Sequence, residues 1–199
     1  MDKINEIIKK RRSIRKYKRK TVSEEMVREI IEAGMLAPSS KNRQPWRFYV
    51  ITGESKRDMI SVMKQGIERE KISPALPESR KFIRGAEYTL EIMKQAPVII
   101  FISNPFGKDL YQSLTPEERV YEICNAQSVG AAMENMILTA VQLGLGSLWI
   151  CDIYFAYEEL KKWLEAKGEL IAALAVGYAD EVPSARPRKS YHEVVKWRT

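Results

Sequence analysis

With 199 residues, 45% of them hydrophobic and 9% aromatic, the chain can bury a full-size core, and residues 1–199 are expected to form a single domain. It carries 33 basic and 26 acidic residues, a formal +7, yet outside residues 9–20 the balance is 24 to 26, so the excess charge is local. No apolar run nears the roughly 20 residues that span a bilayer, and one histidine, His192, argues against a HExxH zinc site or a Ser-His-Asp triad.

Residues 2–11 place Ile4, Ile7 and Ile8 at helical spacing and predict a short amphipathic helix. Charged throughout, this N-terminus lacks the apolar core of a signal peptide, which points to a cytoplasmic protein. Ser23 reads as the N-cap of a second helix that carries Met26, Ile30, Ile31 and Met35 on one face and stops at Pro38. WRFYVIT (46–52) predicts a strand, 53–68 a helix, 71–78 a proline-bearing loop and 79–95 another helix. VIIFIS (98–103) predicts a buried strand, and a loop then leads to the longest apolar-rich helix, within 120–146. Its small residues, Gly130, Ala131, Ala132 and Ala140, suit close packing in a central, buried position. SLWICDI predicts a strand, YEELKKWLEAKG a helix and ELIAALAVGYA a last apolar strand. Beyond Pro183 the chain turns basic and proline-rich, and Val194, Val195 and Trp197 make its end too apolar to stay free in water. The sum is α+β, about four strands separated by helices, without repeats. Cys124 and Cys151 form no CxxC and are expected as free thiols.

Four segments stand out. KKRRSIRKYKRK (9–20) holds nine basic residues and no acidic one, which fits either a nucleic-acid arm or a cradle for a small anion. APSSKNRQPWRFYV (37–50) packs hydroxyl and amide groups between a helix end and an aromatic strand; these are ordinary turn residues or binders of a flat ligand's polar edge. GLGSLW (144–149) begins like a dinucleotide fingerprint but lacks the third glycine and runs helix to strand, so a helix C-cap glycine is the better reading. RPRK (186–189) spaces two arginines so that, in an extended chain, both point one way and suit a phosphate dianion; otherwise they form a solvated face.

Together, RRSIRKY, APSSKNRQPWRF, GLGSLWICDI and ALAVGYADEVPSARPRKSYHEVVKW resemble, in order and spacing, the signature blocks of the nitroreductase family of FMN-dependent NAD(P)H oxidoreductases. The resemblance implies an antiparallel-sheet α+β homodimer with FMN at the subunit interface. The long helix would lie at that interface and the C-terminal extension would wrap the partner. It places Arg11, Arg12 and Ser13 at the FMN phosphate, with Arg186 and Arg188 completing that site. Arg15 would lie nearer the ribityl chain and pyrimidine edge. Pro38, Ser39, Ser40 and Asn42 would come from the other subunit, and Ile150, Cys151 and Asp152 would line the flavin face. Hydride would pass from NADH or NADPH to flavin N5 and on to a nitroaromatic, quinone or related acceptor in ping-pong order, with no catalytic side chain or metal.

Where Cys151 and Asp152 stand, family members often carry glycine or glutamate, and Cys151 reads first as a buried strand cysteine. Residues 64–96 match no family motif, leaving Arg84, Tyr88 and Lys94 without a role. Two alternatives stay open: a specialised relative performing reductive dehalogenation or other flavin chemistry, and a nucleic-acid module using 9–20.

Overall fold

Successive side chains of the strands point to opposite faces of the sheet, and each face has its own core. The computed structural model, which describes residues 3–75 and 77–198, has strands β1 (Arg47–Ile51), β2 (Val98–Asn104), β3 (Gly146–Ile150) and β4 (Glu169–Gly177) in the order β1-β2-β4-β3, every pairing antiparallel. β2 is buried along its whole length because helices cover both faces. Ile99 and Phe101 point into one core, and Val98, Ile100 and Ile102 into the other. Each such fully buried side chain is worth about 1.5–3 kcal/mol of transfer free energy.

The first core is closed by helices α3 (Ser55–Ile72), α4 (Ile83–Gln95) and α6 (Tyr157–Trp163), through Met59, Met63, Ile67, Met93 and Leu160. The second is closed by α2 (Glu24–Met35) and α5 (Pro116–Gln142), through Val27, Ile30, Val129, Met133 and Met136. Ser23 caps α2 as expected, its Oγ accepting from Met26 N at 3.3 Å. Of the expected face of α2, Ile30 is buried and Met26 and Ile31 pack partly buried against the core, but Val27 and Gly34 also turn inward and Met35 is 54% exposed. Gly34 lies against Met136, where a larger side chain would keep α2 off α5.

At 27 residues, about 40 Å long, α5 opens on a capping box between Thr115 and Glu118. Only its later part is the expected buried helix. Val120, Tyr121 and Ile123 near its start are exposed, as are Ile4 and Ile8 of α1 (Lys3–Lys10). The apolar tail, which includes the short α7 (Tyr191–Val194), is little covered by the described residues: Val194 and Trp197 are exposed, and Trp197 Nε1 donates to Tyr191 Oη of the tail itself.

Two further expectations shift. α3 runs to Ile72, and a 3₁₀ turn (Pro77–Phe82) occupies part of the expected loop and of the expected helix; Leu76 lies outside the described residues. The predicted strand SLWICDI ends at Ile150, because Cys151 takes helical dihedrals and Asp152–Ala156 form a 3₁₀ turn. Among the described residues, no helix is long and apolar enough to cross a membrane.

Candidate functional site

The basic segment is built into the sheet rather than left as a loose arm. Gly144, at φ +75°, closes α5: Gly144 N donates to Val141 O (3.1 Å) and Leu145 N to Ala140 O (2.8 Å), the Schellman pattern. Two residues later Gly146 leaves room for Ile14, whose Cγ1 lies 2.6 Å from where a Cβ would stand. Its register partner on β4, Gly177, does the same for Tyr17, whose ring carbon would lie 2.9 Å from such a Cβ. The two glycines thus form a shallow trough on one sheet face, and Ile14 and Tyr17, each 6% exposed, occupy it together with Pro97, which also packs on Gly177.

The backbone of this segment is pinned on both sides of the trough. Ile14 N donates to Ser147 O at 2.9 Å on the β3 side, and Lys18 N to Tyr178 O at 2.9 Å beyond β4. Tyr17 Oη donates to Ile14 O at 2.9 Å, and burial together with the Glu181 charge pushes the phenol's pKa well up, so it stays a neutral donor. With Ile14 and Tyr17 anchored, the remaining residues sort themselves. Arg11, Arg12, Ser13 and Arg15 are half-buried, whereas Lys16, Lys18, Arg19 and Lys20 are exposed. Lys20 Nζ sits 3.9 Å from the centre of the Tyr178 ring.

The half-buried group faces the second basic cluster. Arg11, Arg12, Ser13 and Arg15 line one cavity of about 480 Å³ together with Arg186 and Arg188. Among the described residues its arginines donate to carbonyl oxygens: Arg12 Nη1 to Lys9 O and Arg11 O, both at 2.7 Å, and Arg15 Nη1 to Ser13 O at 3.3 Å. Among the described residues, none of the five guanidiniums forms an ion pair. Five clustered cations without a carboxylate partner repel one another, and a multiply charged anion with several acceptor oxygens relieves that repulsion through charge-assisted bonds.

Pro38, Ser39, Ser40 and Asn42 do not line this cavity. They belong to a tight turn in which Lys41, Asn42 and Gln44 all have φ near +50°, a costly conformation for residues other than glycine. Ser39 Oγ accepts from Gln44 N at 3.0 Å, and Ser40 N donates to Ser128 Oγ of α5 at 3.3 Å, so the turn is held rigidly while its outer polar groups stay exposed.

Ile150, Cys151 and Asp152 lie where β3 ends. Ile150 is buried, but Cys151 is exposed, which corrects the reading of a buried strand cysteine. Cys151 lines a separate cavity of about 280 Å³ with Glu70, Leu110, Tyr154 and Phe155. Partial desolvation and the Asp152 carboxylate push its thiol pKa up. Asp152 is fixed by a hydrogen bond from Thr89 Oγ1 on α4. Thr89 therefore supplies the link from residues 64–96 that no motif marked. Tyr88 and Lys94 instead border a hollow between α3 and α4, and Lys94 pairs with Glu91 at 2.5 Å.

The matching family model, described as "Nitroreductase family", spans residues 8–178. A protein of Archaeoglobus fulgidus, provisionally named an NADH dehydrogenase/NAD(P)H nitroreductase, is 29% identical over 168 residues, covering 84% of this chain and 78% of that one. Among solved structures, a BluB-like flavoprotein from Clostridium difficile 630 superposes with a TM-score of 0.80 at 29% identity, covering all of both chains. A nitroreductase from Desulfovibrio desulfuricans, provisionally so named and solved in complex with FMN, gives 0.73 at 28% identity over 100% of this chain and 99% of that one.

Proposed function

Because the chain belongs to the nitroreductase family, we propose that it is an FMN-dependent oxidoreductase passing hydride from NADH or NADPH to a nitroaromatic, quinone or related small acceptor in ping-pong order. The observation that carries this reading is the convergence of Arg11, Arg12, Ser13 and Arg15 with Arg186 and Arg188 around one cavity, although Arg15 and Arg186 stand 171 positions apart in sequence. The donor set fits the group: several planar guanidiniums and a hydroxyl match a phosphate dianion, and the cavity contributes no carboxylate of its own to compete.

FMN, when bound, supplies the hydride chemistry. The chain's residues bind it and set its environment. Arg11, Arg12, Ser13, Arg186 and Arg188 hold the phosphate. Arg15 offers positive charge toward the ring's pyrimidine edge, where a cation favours the electron-rich reduced form. Ile150, Cys151 and Asp152 would lie along the ring, with Asp152 steadied by Thr89. Pro38, Ser39, Ser40 and Asn42 reach the flavin of a second subunit, so the working unit is a homodimer. The exposed apolar residues of α1, of the start of α5 and of the tail supply the surface such a dimer needs to cover.

Replacing one phosphate partner tests the site. Arg188→Ala removes a charge-assisted contact worth about 1.5–3 kcal/mol, so FMN dissociation constants, read by flavin fluorescence, rise roughly ten- to hundredfold. Replacing Lys18, Arg19 and Lys20 together leaves FMN affinity near wild type. An Arg188→Ala protein that holds FMN unchanged removes that residue from the site. A wild-type protein that neither binds FMN nor oxidises NAD(P)H, yet binds DNA with steep salt dependence, overturns the function.

A further inference from the structure

We infer that Glu181 is a positioning residue for the anion cradle: its carboxylate staples the backbone carrying the N-terminal arginines to the segment carrying Arg186 and Arg188. The inference rests on the flavin-phosphate reading of the cradle.

Between its two pinning points the basic segment crosses from the β3 side to the β4 side of the trough. Ile14 N is taken by Ser147 O and Lys18 N by Tyr178 O, while the N–H groups of Arg15 and Lys16 fall in the crossing. Both are taken by one atom, Glu181 Oε1, with the Lys16 N distance at 3.2 Å. From the same stretch Asp180 N donates back to Lys16 O at 2.9 Å, so the two chains are tied in both directions. Val182 and Pro183 then lead directly into the run that brings Arg186 and Arg188 to the cavity.

Although it lies beside a basic segment, this carboxylate forms no ion pair among the described residues and accepts from the backbone of Arg15 and Lys16 instead. Its negative charge would oppose a bound phosphate, so charge is not the contribution it makes to binding. Its contribution is geometric. One acceptor atom fixes the separation of the two arms before the anion arrives, and the ordering cost is met in advance of binding.

The test compares Glu181→Ala with Glu181→Gln in the full chain. FMN and riboflavin dissociation constants are measured for each, since riboflavin lacks the phosphate. Loss of the staple in Glu181→Ala weakens FMN about tenfold and riboflavin by less than about twofold. Glu181→Gln, whose amide oxygen can still accept both N–H groups, stays within about threefold of wild type for both ligands. Four results overturn the inference: FMN affinity unchanged in Glu181→Ala, FMN and riboflavin falling together, Glu181→Gln as weak as Glu181→Ala, or a Glu181→Ala chain that does not fold, which would make the contact a support of the fold. Failure of the underlying reading shows separately, in a wild-type protein that binds FMN no better than riboflavin.

Discussion

The pair Gly146→Ala and Gly144→Ala separates a loss of stability from a loss of the cradle. At Gly146 the new methyl would stand 2.6 Å from Ile14 Cγ1 and 2.9 Å from Ile14 Cβ. Carbon atoms settle at about 3.5–4.0 Å, so Ile14 must retreat by roughly 1 Å, and neither contacted atom is the loose end of a flexible chain. Overpacking of this kind costs about 1–3 kcal/mol. At Gly144 nothing lies within 4 Å of the added methyl, but φ of +75° makes alanine pay about 1–2 kcal/mol in backbone strain. The two variants are therefore destabilised by similar amounts, and at this chain length each kcal/mol lowers the melting temperature by about 2–4 °C. They differ in what moves. Retreat of Ile14 shifts Ser13 and Arg15, its chain neighbours, away from Arg186 and Arg188, whereas the strain at Gly144 stays in the helix cap. Melting curves of flavin-free protein should show both variants lowered, and fluorescence titration should show FMN weakened about tenfold only in Gly146→Ala. Equal FMN affinity in the two variants would refute the claim that this glycine seats the arginine segment.

Two further predictions concern titration. Burial, and next the Glu122 carboxylate, push the Glu169 pKa up to about 7 from 4.5. The folded state thus holds a proton that the unfolded chain releases, so this group costs no stability below about pH 4.5, and a penalty grows as pH rises toward 7 and is complete above it. Glu169→Gln removes that penalty, and its melting temperature relative to wild type should rise between pH 5 and pH 8; a difference independent of pH would count against it. Because the Cys151 thiol is pushed up, iodoacetamide should label it at pH 7.5 more slowly than it labels glutathione, with the rate still climbing past pH 9. Peptide mass spectrometry follows this site apart from Cys124, and rapid labelling at neutral pH would contradict the assignment.

What the sequence revealed follows from which forces leave a periodic mark. β2 and β4 were legible because burial on both faces makes a strand continuously apolar, and Ser23 because capping chemistry is local. The end of β3 was not. Cys-Asp-Ile continues an apolar, strand-like run, and what stops it is the turn at Cys151 with Asp152 fixed by Thr89, 63 positions away. Ile30 of α2 was read correctly, but Val27 and Gly34 were missed and Met35 was wrongly included, in part because the closest contact with α5 is made at a glycine, which no hydrophobic pattern counts. Both arginine clusters were legible as charge, but Glu181 was not: it acts 166 positions away through backbone N–H groups, which carry no residue identity. Nor do lysine and glutamine at positive φ in the turn after Pro38 carry the glycine or asparagine signal that such dihedrals usually leave.

The separation of the cradle's two arms also has a consequence in time. On the ribosome, Arg11 to Arg15 are made 171 residues or more ahead of Arg186. A nascent chain can form α1 to α5 and still offer an anion only half of its contacts. Capture of a phosphate-bearing ligand therefore follows assembly of the sheet and cannot guide it. The same separation makes the exposed stretch from Ser184 to Arg188 the place where one proteolytic cut would release such a ligand while leaving all four strands joined.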